Sequence, residues 1–232
     1  MHGTLKHIFD AARPARMDAR SAHRLMAFIA FALAVFTIGA FGAKAVFVPE
    51  VRSRYTPLVV FHAVSMLGWM LLLGSQALLA AGGRMKAHRK FGTASLALVA
   101  AMTVSGAILS INIRAELGRP EVTIVNLAAF ITFLPLYAAA LIFARRRDMH
   151  SHRQAMLIGT LAFMTPVYAR ITDVLGLPPQ VSIGVQPPLT LAIALGYEWA
   201  VLGRITKPVA WMLAFSVAVI MAMVGVLAVW FV

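Results

Sequence analysis

Residues 57–83 read PLVVFHAVSMLGWMLLLGSQALLAAGG. The apolar residues run on without the period-two alternation of a half-buried strand. A run of about 20 apolar residues is what a helix needs to cross the hydrocarbon of a bilayer. Both ends carry helix punctuation. Thr56 is a capping residue, Pro57 suits the first helical position, and Gly82-Gly83 ends the run. This stretch predicts a transmembrane helix, and the fold class follows from its recurrence along the chain.

Working outward, comparable runs occupy 25–48, 91–113, 122–144, 153–175, 187–203 and 209–231, the last two opened by Pro187-Pro188 and Pro208. The sequence predicts an all-α integral membrane bundle of about seven transmembrane helices. It divides into a basic tail over 1–24 and one transmembrane domain over 25–232. Composition agrees. The 232 residues are 61% hydrophobic and 12% charged, where a soluble domain is about a quarter charged. A β-barrel would alternate lipid-facing and lumen-facing residues, and these runs do not. Gly42-Ala43-Lys44-Ala45 resembles a signal-peptide cleavage site. The run before it exceeds the usual h-region of about 7–15 residues, so a retained first helix is expected.

The formal net charge is +13, and its placement matters more than its size. One set of segments carries the tail cations Lys6, Arg13, Arg16 and Arg20, then Arg84/Lys86/Arg89/Lys90, Arg145/Arg146/Arg147/Arg153 and Arg204/Lys207. The alternate set carries only Arg52/Arg54 and Arg114/Arg119, with none over 177–186. The positive-inside rule puts the first set in the cytoplasm. The expected setting is a bacterial inner membrane, N-terminus cytoplasmic and, with seven spans, C-terminus periplasmic. The lipid bilayer is then the partner that explains the charge, and no nucleic acid is needed.

The chain has no cysteine. This excludes disulfides, thiolate metal sites, iron–sulfur ligation and covalent haem attachment through Cys-x-x-Cys-His. No Walker loop, Gly-x-Ser-x-Gly or His-Glu-x-x-His pattern occurs. The last helix has no lysine for a retinal Schiff base. No catalytic motif supports an enzyme.

Polar residues within a span are costly, so each one there suggests a protein or water neighbour. In the outer half these are His62, Tyr168 and Arg170, with Asp173, Asn112 and Asn126 nearby. His62, Trp69 and Gln76 follow at steps of seven, which drift by only about 20°, so they form one stripe expected to face the bundle interior. His152 and Arg170 are expected on one face of the fifth helix, with Pro166 kinking it and freeing a carbonyl. In the inner half lie Gln76, His88, His152, Arg153 and Glu198.

Two readings stand for each group. The outer residues form either a polar pocket with Arg170 as anion anchor, or an Arg170–Asp173 pair at the interface. The inner residues form either a proton relay of His88, His152 and Glu198, or a structural pair of Glu198 with Arg153, Arg89 or Arg204. His2, His7, His23 and His150 read as solvated or headgroup-level residues. One internal echo is visible: His88-Arg89 opens the third helix and His152-Arg153 the fifth. It is consistent with a duplicated helix pair, and equally with the ordinary placement of arginine at a cytoplasmic helix end.

The segment from His62 to Gly92 resembles a family of uncharacterised bacterial multi-pass membrane proteins. The likeness rests on His62 and Trp69 on one helix, then Gln76, Gly83-Arg84 and His88-Arg89-Lys90-Phe91-Gly92, and later on His152, Met156 and Arg170. It covers helices two to five. Thr93 stands where the family has a basic residue, and Ser151-His152-Arg153 lacks its Trp-Met pair. The resemblance supports the residue choices and carries no activity.

Three functions remain open from sequence. The first is small-solute or proton-linked transport through a polar pocket among helices two, three, five and six. The second is a b-type haem redox protein holding haem b through His88 and His152, with quinone as partner. The third is an accessory or assembly factor of a larger membrane complex.

Overall fold

The computed structural model describes residues 15–231. The expected tail residues Lys6, Arg13, His2 and His7 lie outside the described residues. The described chain is helical: α1 (Ala19–Phe47), a short 3-10 turn (Pro49–Arg54), α2 (Pro57–Ala81), α3 (Met85–Leu117), α4 (Pro120–Arg145), α5 (Met149–Leu161), α6 (Thr165–Val174), α7 (Pro179–Leu202) and α8 (Lys207–Phe231).

The expected punctuation operates. Thr56 caps α2 through its hydroxyl, which accepts from the Val59 N–H at 3.4 Å, with Pro57 following. Asp18 caps α1, accepting from the Ser21 N–H at 2.6 Å. That amide and the Ser21 hydroxyl hold the Asp18 carboxyl below its ordinary range.

Six segments are long and apolar enough to cross a membrane: Ala19–Phe47, Pro57–Ala81, Met85–Glu116, Pro120–Arg145, Met149–Val174 and Lys207–Trp230. The protein is an all-α, multi-pass membrane bundle. Among the described residues the count is six, and the seventh span expected at 187–203 is the one not among them. Pro187-Pro188 do not start a helix; they lie inside α7, which begins at Pro179. Length does not exclude α7, since its 24 residues match its neighbours. Polarity does: Ser182, Gln186, Thr190 and Glu198 are buried along it. A helix that turns these groups inward packs on protein rather than meeting lipid on all sides. α7 runs antiparallel beside α5 and α6, from Gln186 at Leu161 and Ala162 to Glu198 at His150.

The helix expected over 153–175 is also corrected. It is broken rather than kinked, with α5 ending at Leu161 and α6 starting at Thr165. Pro166 has no N–H to offer the Ala162 carbonyl, and the intervening residues tighten into Phe163→Thr160 and Met164→Leu161 bonds. The freed carbonyl does not line a cavity. The Gln186 amide of α7 donates to Ala162 O at 3.2 Å and to Leu161 O at 3.4 Å, and its oxygen accepts from the Thr165 hydroxyl. A buried amide thereby replaces the hydrogen bond that proline removed.

The core sits where α2, α4 and α5 meet. Trp69, Phe133 and Tyr137 pack there with Leu157, Leu161 and Met164, all buried. Phe28, Val35, Val64, Ile111, Trp211 and Val229 point outward and are highly exposed, as lipid-facing side chains of a bundle must be.

Candidate functional site

Two helical hairpins, α2–α3 and α4–α5, repeat one another 64 residues apart (83 to 147, 88 to 152). Each first helix ends in the same motif. Gly83 N–H bonds Ala80 O at 3.1 Å and Arg84 N–H bonds Leu79 O at 2.8 Å; Arg147 N–H bonds Ala144 O at 3.1 Å and Asp148 N–H bonds Phe143 O at 2.9 Å. These are Schellman closures, with the left-handed residue at Gly83 (φ 71) and Arg147 (φ 62). The following helix then brings a histidine back against the helix before it. His88 Nδ1 lies 3.2 Å from Gln76 O and His152 Nδ1 lies 2.9 Å from Ala140 O, a reach of twelve residues in both. The His-Arg echo in the sequence is thus a duplicated backbone unit. The two copies meet through equivalent residues. Trp69 stands edge-on to Phe133 at 5.1 Å, and the His88 and His152 rings lie 6.5 Å apart at 80°.

The tautomers follow from the partners. A carbonyl oxygen can only accept, so His152 carries its proton on Nδ1 and leaves the Nε2 lone pair free. His88 has a second neighbour, the Gln76 amide. With its oxygen accepting from Gly92 N–H at 3.1 Å, the amide NH2 group lies 2.6 Å from His88 Nδ1 and 3.0 Å from His88 O. The reverse orientation puts the amide oxygen on Nδ1–H and frees Nε2, as in His152, at the loss of the Gly92 bond.

Two residues read as peripheral in the sequence belong to the interior of this end. His23 of α1 is half-buried, with Nε2 3.5 Å from Arg153 Nη1. His150 is half-buried too, and its Nε2 bonds Glu198 Oε2 at 2.5 Å. Arg153 is 9% exposed. His23 was missed because nothing local marks it: it sits in the first turns of a helix beside arginines.

Glu198 is fully buried and fully partnered. Besides His150 it accepts from Gln154 Nε2 at 2.8 Å, from Thr206 N–H at 2.9 Å and from the Thr206 hydroxyl at 2.8 Å. Among the described residues no hydrogen bond or ion pair joins it to His88 or His152. Of the three residues considered for a relay, two come together and the third ties α5, α7 and the turn before α8. The pairing partner is His150 rather than Arg153 or Arg89.

The stripe of α2 faces inward along its length. His62 meets Ser105 of α3 at 2.9 Å, Trp69 donates to Thr160 of α5 at 3.0 Å, and Gln76 reaches His88. Ser105 donates to Ala101 O at 2.6 Å, so it accepts from His62 Nδ1–H. Arg170 stacks over Phe41 at 4.7 Å and reaches Pro166 O at 3.4 Å. Its expected partner Asp173 pairs instead with Lys44 at 3.1 Å. Tyr168 packs on Phe36. No hydrogen bond or ion pair joins His62 to Arg170 among the described residues. Between the outer residues and the histidine pair lies packed aromatic surface: Trp69, Phe133, Tyr137 and Phe163, with centroids 4.6–5.8 Å apart.

Among the described residues no group of three or more His, Asp or Glu could hold a bare metal ion. What the site offers is a pair of imidazoles in edge-on contact. With metal–nitrogen bonds of about 2 Å, two imidazoles on one metal have ring centroids roughly 6.3 Å apart, against the 6.5 Å found here. His152 is in the ligand tautomer, and its Nδ1–H anchored on a carbonyl is the outer-shell bond of ligating histidines. His88 reaches that tautomer when Gln76 presents its oxygen. The donor set is that of two imidazoles on one metal, with His152 in the ligand tautomer and His88 in it once the Gln76 amide turns.

The fold and site define a class: a multi-pass helical membrane protein with a duplicated hairpin and a bis-imidazole pair near its basic end. No family model, curated protein or solved structure matches the chain.

Proposed function

We propose that this protein is a b-type haem protein of a bacterial inner membrane, holding its haem between His88 and His152 at the basic, cytoplasmic end of the bundle. The observation that carries this reading is the pair of imidazoles 6.5 Å apart, one from each copy of the repeated hairpin, at a spacing that two ligands of one metal would take. His152 is fixed on a backbone carbonyl, and His88 lies beside the matching carbonyl and the Gln76 amide. His88 and His152 would hold the group, and its iron would supply one-electron transfer. Gln76, beside His88, also lines an open cleft of about 480 Å³ with Leu72, Leu79, Arg84 and Phe91. This mostly apolar cleft suits approach by a membrane-soluble redox partner such as a quinone. Transport has less support, because packed aromatic rings separate the outer polar residues from the inner ones.

The test is a reduced-minus-oxidised visible spectrum of the full chain, produced with ample haem and purified in detergent. A sharp α band with a shifted Soret peak is expected. A flat spectrum sinks the haem reading and returns the histidine cluster to proton-linked transport.

A further inference from the structure

Arg153 has a problem that the rest of the described molecule does not solve. It is 9% exposed, and its Nε is buried with no hydrogen-bond partner. Its Nη1 contact is the ring nitrogen of His23 at 3.5 Å, which offers no negative charge. Among the described residues no carboxylate pairs with it. The buried acid of this end, Glu198, is already bonded to His150, Gln154 and Thr206. A guanidinium cannot shed its proton to escape, and a buried charge without a counter-ion is strongly unfavourable. The corresponding residue of the first hairpin, Arg89, lies exposed, so the repeated backbone unit does not itself require a buried cation. Arg153 directly follows His152 and stands beside Tyr197 and His23.

We propose that Arg153, with His23 and Tyr197 beside it, is the binding site for a carboxylate of the bound cofactor, a haem propionate. The inference rests on the haem reading and assigns a role to a buried cation beside the histidine pair that the reading leaves unexplained. The guanidinium supplies the paired donors that a carboxylate takes, and the carboxylate supplies the missing charge.

The experiment titrates the full-length apo-protein in detergent with haem and with haem dimethyl ester, which keeps the iron but has no free carboxylates. The Soret band reads the affinity. Wild type is expected to bind haem about 10- to 100-fold more tightly than the ester, the scale of a charge-assisted contact. Arg153→Gln is expected to bind both alike, at the wild-type affinity for the ester, and Arg153→Lys to fall between. Equal wild-type affinity for acid and ester overturns the propionate anchor while leaving the haem reading intact, and needs no variant to fold. Full preference for the acid in Arg153→Gln overturns the role of Arg153. Failure of wild type to bind either compound overturns the haem reading, and this inference falls with it.

Discussion

The α2–α3 and α4–α5 hairpins share a turn, a closing hydrogen-bond pattern and a histidine folded back over twelve residues, yet their surroundings differ at nearly every matching side chain. In the second hairpin, His150, Arg153 and Gln154 are drawn inward by α7 and α1. Their counterparts Lys86, Arg89 and Lys90 stand exposed. At the histidine the asymmetry reverses. His152 has a bare carbonyl beside it because residue 140 is alanine, whereas His88 has the carbonyl and the amide of Gln76. The backbone unit is one device used twice. What each copy does is set by what packs against it.

The comparison breaks most visibly at the imidazoles. If the copies contribute one ligand each, His88→Ala and His152→Ala both abolish the α band, measured on protein that still elutes as a single species. Loss from only one of them removes the paired-ligand account. Next in size is the lock on the second hairpin. Glu198→Ala leaves His150 and Thr206 without their acceptor and Gln154 with Ala194 O alone, and is expected to cost about 3–5 kcal/mol in detergent unfolding. Lys86→Ala, at the position matching His150, should cost within about 0.5 kcal/mol. At the contact between the copies, Trp69→Ala and Phe133→Ala should each cost about 3–5 kcal/mol, with Trp69 the larger because Thr160 also loses its indole donor.

Smaller effects sharpen the difference. Gln76→Leu gives His88 the carbonyl-only setting of His152, so haem affinity should rise about fivefold, the worth of one neutral hydrogen bond; an unchanged or weaker affinity would mean that the amide helps the ligand form. Arg147 adopts the left-handed conformation that its counterpart Gly83 adopts freely. Arg147→Gly should therefore stabilise by about 1 kcal/mol and Gly83→Ala destabilise by a similar amount, read as opposite shifts of the unfolding midpoint.

By itself the sequence determined the class. Continuous apolar runs and scarce charge leave a chain no stable home but lipid, and backbone satisfaction in lipid then requires helices. It also determined most helix ends, because Thr56, Pro57, Gly82 and Gly83 act on their own neighbours, and the inward stripe of His62, Trp69 and Gln76, because period is a property of one helix. Tertiary structure alone decided the rest. Gln186 and Glu198 of α7 turned inward because their partners stand on α6 and α5. Pro166 became a break because Gln186, from another helix, was there to take the freed carbonyls. Glu198 found His150 rather than Arg153 or Arg89, and His88 met His152, because helix order in a bundle is fixed by contacts far apart in sequence. No periodicity within one helix encodes them.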